Sequence, residues 1–81
     1  YSGGYGLTIR ILSNDRSGLL RDITTVLANE KINVMGVRSR SNVREQTAEI
    51  DMELELYNIN AFNRALAKLS QLNDVISAKR L

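Results

Sequence analysis

Cysteine, histidine and tryptophan are absent from the 81 residues. Without cysteine, neither a disulfide framework nor a thiolate metal site can supplement the core, and nothing hints at an oxidising compartment. A cytoplasmic origin is therefore the default expectation. Without histidine, imidazole drops out of both catalysis and metal ligation, leaving carboxylates, hydroxyls and amines for any chemistry. No apolar run approaches the ~18 residues of a membrane span and no signal peptide opens the chain, so no membrane partner is expected. Charge of one sign is also scarce: the net charge of +2 and pI of about 9.3 permit an RNA contact without demanding one.

What is present reads as one small domain. A chain of this size buries only roughly 60–65% of its unfolded surface. "YSGG" at residues 1–4 looks like the end of a linker, and residues 5–81 like a domain excised from a longer chain. "YGLTIRIL" puts Leu7, Ile9 and Ile11 on one face and Thr8 and Arg10 on the other, a strand that the polar run Ser13–Ser17 is expected to break. From Gly18 to about Asn29 the period changes to that of a helix, with Leu19, Ile23, Val26 and Leu27 on one stripe and Leu20 widening it. "INVMGVRSRS" reads as a second strand over 33–41, and "NVRE" as a four-residue turn. "QTAEIDMELEL" alternates most cleanly: Ala48, Ile50, Met52, Leu54 and Leu56 point one way, Thr47, Glu49, Asp51, Glu53 and Glu55 the other. A second helix follows with Asn60 as N-cap and Phe62, Ala65, Leu66, Leu69 and Leu72 inward, and "VISAKRL" closes as a short strand.

The order β-α-β-β-α-β predicts an α+β, ferredoxin-like fold, in which a four-stranded antiparallel sheet carries both helices on one face. Strand order 4-1-3-2 follows, with the first and third strands central. Those two carry the strongest alternation, as befits strands with one buried face.

With "DRSGLL" at the junction of first strand and first helix, the chain resembles the ACT domain, a regulatory module that commonly binds small ligands, especially amino acids. "NDRSGLLRDITTVLANEKINVMGVRSRS", "QTAEIDMELELYN" and "DVISAKRL", taken in order, are similar to the C-terminal ACT domain of RelA/SpoT-family proteins, the GTP pyrophosphokinases above all. The resemblance runs from about Tyr5 to Leu81. It implies a parent enzyme that moves pyrophosphate from ATP to GTP or GDP, making (p)ppGpp in the stringent response. It also implies a non-catalytic segment in the regulatory half, without a cofactor of its own. The implied partners are the catalytic and regulatory domains of the same chain, the ribosome with its rRNA and tRNA, an amino-acid ligand, and a second copy in a homodimer. The residues agree with a non-catalytic role, since no nucleophile–base pair, phosphate-binding glycine loop or metal cluster can be assembled from them.

Each notable stretch has a plain and a sharper reading. Gly18 suits a tight strand-to-helix turn that needs a permissive backbone. Its missing Cβ also opens the first helical N–H groups to a carboxylate. By the resemblance, Asp15, Gly18 and Leu19 form the ligand loop, and Asn33, Val34 and Met35 face it across an interface with a neighbouring domain. Asp15 by itself reads better as a helix cap, and Ser17 stands where many amino-acid-binding members carry proline. The ladder Glu49, Asp51, Glu53, Glu55 reads as a solvated face balanced by Arg10 and by Arg38, which a turn over 42–45 places opposite Glu49; alternate strand residues ~6.5–7 Å apart are too distant to share a magnesium. Arg38, Arg40 and Arg44 cluster toward the hairpin and are the candidates for phosphate contacts, with no aromatic residue interleaved for base stacking. Gly36 breaks the second strand's alternation. Without a bulge, Met35 and Val37 face the helices and Val34 faces out, where it suits pairing with a second domain; a bulge reverses the earlier part. Two functions follow: a docking and intramolecular regulatory module, or a sensor of a small, branched-chain type of amino acid.

Overall fold

Period-two alternation in two long segments sets the centre of the molecule. The computed structural model describes residues 4–15 and 17–81. Its elements are β1 (Tyr5–Asn14), α1 (Leu19–Asn29), β2 (Asn33–Asn42), β3 (Thr47–Leu56), α2 (Ile59–Gln71) and β4 (Val75–Arg80). The strands form one sheet in the order β2-β3-β1-β4, each neighbouring pair antiparallel. This is the βαββαβ, ferredoxin-like arrangement that the element order predicts. The linker reading of residues 1–4 falls mostly on residues 1–3, outside the described residues.

β1 and β3 pair over ten residues, and their inward sets meet directly: Ile9 lies across from Met52 and Ile11 from Ile50. These four are almost wholly inaccessible and join Leu19, Ile23 and Leu27 of α1 with Phe62, Ala65 and Leu69 of α2 in one cluster. Each such side chain contributes roughly 1.5–3 kcal/mol by leaving water. Two expectations about β1 and α1 need correcting. Ser13–Ser17 does not end β1 at Leu12: the strand runs on to Asn14, and Ser13 continues the buried face. Nor does Leu20 widen the buried stripe of α1, for it is 45% exposed.

The turns carry three further corrections. Asn60 is not the cap of α2; Asn58 is, its Oδ1 accepting a 2.8 Å bond from the Asn60 N–H. The hairpin turn occupies residues 43–46, one residue later than expected, closed by Gln46 at φ 57°. The register moves accordingly, so Arg38 stands opposite Asp51 and Arg40 opposite Glu49. A bulge between Val34 and Gly36 then turns the start of β2 over. Val34 packs against the core rather than facing out, and Met35 is 64% exposed. Val37 lies opposite Met52 on the helix side, yet is 46% exposed because β2 is an edge strand.

The end of α1 is fastened twice. Ile32 N–H bonds the Leu27 carbonyl at 3.0 Å and Lys31 N–H bonds Ala28 at 2.9 Å, with Lys31 at φ 60°. This left-handed cap brings the buried Ile32 against the buried Leu27. Next to it, the Glu30 carboxylate receives Arg64 Nε at 3.0 Å and Lys68 Nζ at 2.8 Å, one turn apart on α2. The side chain of Glu30 is only 10% exposed. Hydrogen bonds from Lys68 and then Arg64 hold its pKa below the ordinary carboxylate range.

Candidate functional site

The loop from β1 to α1 is built on one residue that only glycine suits well. Gly18 sits at the N-cap of α1 with φ 80° and ψ 0°, left-handed, and no side chain caps the helix there. The cap role expected of Asp15 is therefore not what the structure shows. Asp15 instead donates its backbone N–H to the Gln46 carbonyl at 2.9 Å, fastening the loop to the hairpin turn. That bond unites two segments about thirty residues apart in the chain into one end of the molecule.

A hollow of about 220 Å³ opens at this end, lined by Asp15, Gly18, Leu19, Leu20, Arg21, Ser39, Ser41, Ala48 and Ile50. Its floor is apolar and its rim carries two hydroxyls, a carboxylate, a guanidinium and the start of a helix. An arrangement of this kind can hold a small polar group, or receive a side chain from a docking partner. The sequence reading contains Asp15, Gly18 and Leu19 of this set. Ser39, Ser41 and Arg21 escaped it, because only the sheet register carries the middle of β2 to the loop.

Asn33, Val34 and Met35 lie at the other end of β2. Asn33 pairs with Glu55, to whose carboxylate its Nδ2 donates at 3.3 Å. Ser39 is six steps along the strand from Asn33, about 20 Å when extended. Within one chain the two groups do not share a site; any meeting of them lies between two domains.

The three arginines are spread along the hairpin. Arg44 occupies the turn and is exposed, next to Val43 at 86% exposure. Arg40 is bound to the Glu49 carboxylate across the strand. Arg38 sits midway along the edge strand β2, opposite Asp51, which Arg10 already grips with two bonds of 2.8 and 3.0 Å. The hydrogen bond from Arg10 is the main reason that Asp51 titrates below the ordinary range. Of the acidic ladder, Glu49 and Asp51 are thus balanced by neighbouring cations, while Glu55 accepts from the neutral Asn33 and Tyr57. Among the described residues no helix is long and apolar enough to cross a membrane.

Residues 2–80 match the family model of the ACT domain. The chain is 60% identical over all 81 residues to the GTP pyrophosphokinase of Escherichia coli K12 and 58% identical to that of Haemophilus influenzae, in each case spanning 11% of the relative's length. Its fold is similar to the crystal structure of the ACT domain from the GTP pyrophosphokinase of Chlorobium tepidum, with a TM-score of 0.79 at 20% identity, over 96% of this chain and 99% of that one. These relatives are the ones that the three sequence stretches resemble. The chain belongs to the ACT domain family.

Proposed function

We propose that this ACT domain is the non-catalytic regulatory segment of a (p)ppGpp synthetase, acting in the stringent response by docking. It contacts the ribosome with its tRNA, and the catalytic half of its own chain, through the end where the β1–α1 loop is fastened to the hairpin turn. The observation that carries this reading is the Asp15–Gln46 bond. It ties two loops together at one end of the molecule, with Val43 and Arg44 exposed in the hairpin turn and Leu20 and Arg21 exposed at the start of α1. Exposed arginines next to exposed aliphatic side chains suit a mixed surface of RNA backbone and protein. In the full-length protein, replacing Arg40 and Arg44 by alanine should weaken co-sedimentation with ribosomes and flatten its salt dependence, because fewer counterions are released. The melting temperature should barely move, since exposed ion pairs contribute about 0–1 kcal/mol. An unaltered binding curve would remove the hairpin from the account.

The hollow supports a second reading, an amino-acid sensor. A ligand carboxylate at the open start of α1, its ammonium at Asp15 and an aliphatic side chain on Leu19 would fill the space. Titration of the labelled chain with each amino acid at millimolar concentration, followed by amide NMR, tests it. Shifts confined to Gly18, Leu19, Ser39 and Ser41 support sensing, and unmoved resonances there reject it.

A further inference from the structure

The end of the sheet opposite the hairpin turn carries another hollow, of about 290 Å³, where β3 and α1 finish and α2 begins. Its floor is apolar, made by the buried Ile32, Leu56 and Ala61. One wall is the ring of Tyr57, which is exposed yet held in place: its hydroxyl donates to the Glu55 carboxylate at 3.2 Å and its edge lies against Gly4. A Cβ on Gly4 would come to 3.0 Å from both the ring Cε1 and the Leu56 carbonyl oxygen, so a larger residue would push the ring aside. The rest of the rim is cationic. Lys31 is exposed, and its ammonium has no partner among the described residues. Arg64 bonds Glu30 through Nε, which leaves its two terminal amino groups for a ligand. Glu30 is the one carboxylate lining the hollow among the described residues, and Arg64 and Lys68 already answer its charge.

We propose that this hollow binds a nucleoside monophosphate, the base stacked on Tyr57 over the apolar floor and the phosphate between Lys31 and Arg64. Two cations match the charge of nearly −2 that a phosphate monoester carries at neutral pH, and a guanidinium fits its oxygens bidentately. Every base offers a flat face to an aromatic ring. Inorganic phosphate would leave the floor uncovered. A zwitterionic amino acid would bring an ammonium to a rim of two cations and a carboxylate already paired twice, so it suits this hollow poorly. The volume lies at the small end of ligand pockets, which start at about 300 Å³, and takes one nucleotide rather than a chain of them. Because the cations stay open to water and salt, binding is weak, with a Kd of about 1 mM or somewhat below. Gly18 and the hairpin turn stand at the far end of the sheet, so this site is separate from the docking end and from the hollow beside it.

Amide NMR of the labelled 81-residue chain, titrated with AMP and with GMP to about 10 mM, provides the test. Both should give saturable shifts at Lys31, Ile32, Tyr57 and Ala61, while Gly18, Leu19, Ser39 and Ser41 stay unmoved. Adenosine and inorganic phosphate, each carrying half of the recognised chemistry, should bind about tenfold more weakly or worse. Lys31→Glu and Tyr57→Ala should each weaken AMP binding by about tenfold, whereas Tyr57→Phe keeps the ring and should stay within about threefold of the wild type. Both positions are exposed, and circular dichroism should show all three variants folded. Unmoved resonances at these residues with either nucleotide overturn the proposal. So does inorganic phosphate that binds as well as AMP, or a Lys31→Glu chain that binds as the wild type does. A short oligouridylate that moves these resonances where neither mononucleotide does overturns it in favour of an RNA strand.

Discussion

Replacing Gly18 by alanine puts a methyl group on a backbone held at φ 80° and ψ 0°. An L-residue in that left-handed region costs about 1–2 kcal/mol through the clash of Cβ with the following carbonyl. Alanine also restricts the unfolded chain, which returns about 0.4–1 kcal/mol. The difference leaves a loss of about 1 kcal/mol, and for a domain of this size that lowers the melting temperature by about 4–8 °C. Thermal melts followed by circular dichroism read this directly. The chain is short enough for chemical synthesis, which allows a second variant with D-alanine at position 18. The D-residue prefers positive φ, so it carries a methyl, in place of the other Cα hydrogen, without the strain and should melt at or above the wild type. L-alanine melting at or above the wild type would refute the left-handed assignment. The pair of variants also separates the two roles of the glycine. If D-alanine folds well but abolishes ligand or partner binding, the side of Cα that its methyl occupies serves an approach to the loop; if it binds normally, that side is free of any partner.

Ile50 is 3% exposed between β1 and the helices, so Ile50→Asp buries an unpaired carboxylate and should unfold a domain whose whole stability is about 4–12 kcal/mol. Glu53→Lys, one face over, should leave the melt of the dilute chain nearly unchanged; two equally folded variants would overturn the register. The acid limb of stability depends on Glu30 and Asp51, both of which titrate below the ordinary carboxylate range in the fold. Their contribution is therefore fully present above the unfolded pKa of about 4 and is lost as pH falls through the lower folded values. Melting temperature should hold level from neutral pH to about pH 5 and drop below about pH 4, and Glu30→Gln should make that drop shallower. A Glu30→Gln profile parallel to the wild type below pH 4 would show that the Arg64 and Lys68 clamp carries no acid sensitivity.

The sequence by itself determined the elements, their order and the strand topology. Ile9, Ile11, Ile50, Met52 and Leu54 announce themselves through a period of two, and Ile23, Leu27, Phe62 and Leu69 through a period near 3.6, because burial selects for one face of each local geometry. The family was legible for the same reason that the loop was: "DRSGLL" and its flanking stretches are local patterns. What the local pattern missed or left open between two alternatives was fixed by register. A single residue in the turn over 43–46 decides whether Arg38 faces Glu49 or Asp51. The bulge before Gly36 reverses Val34 and Met35, and a bulge is a choice between two nearly equal backbones that only the packing of β2 on β3 resolves. Ser13 reads as a loop residue until the strand that continues through it is seen to be buried. The candidate site divides in the same way: Asp15, Gly18 and Leu19 are adjacent in the chain, whereas Ser39 and Ser41 reach them only across the sheet. Local sequence specifies local periodicity; contacts between distant segments depend on offsets of one residue, and those are settled by the tertiary structure alone.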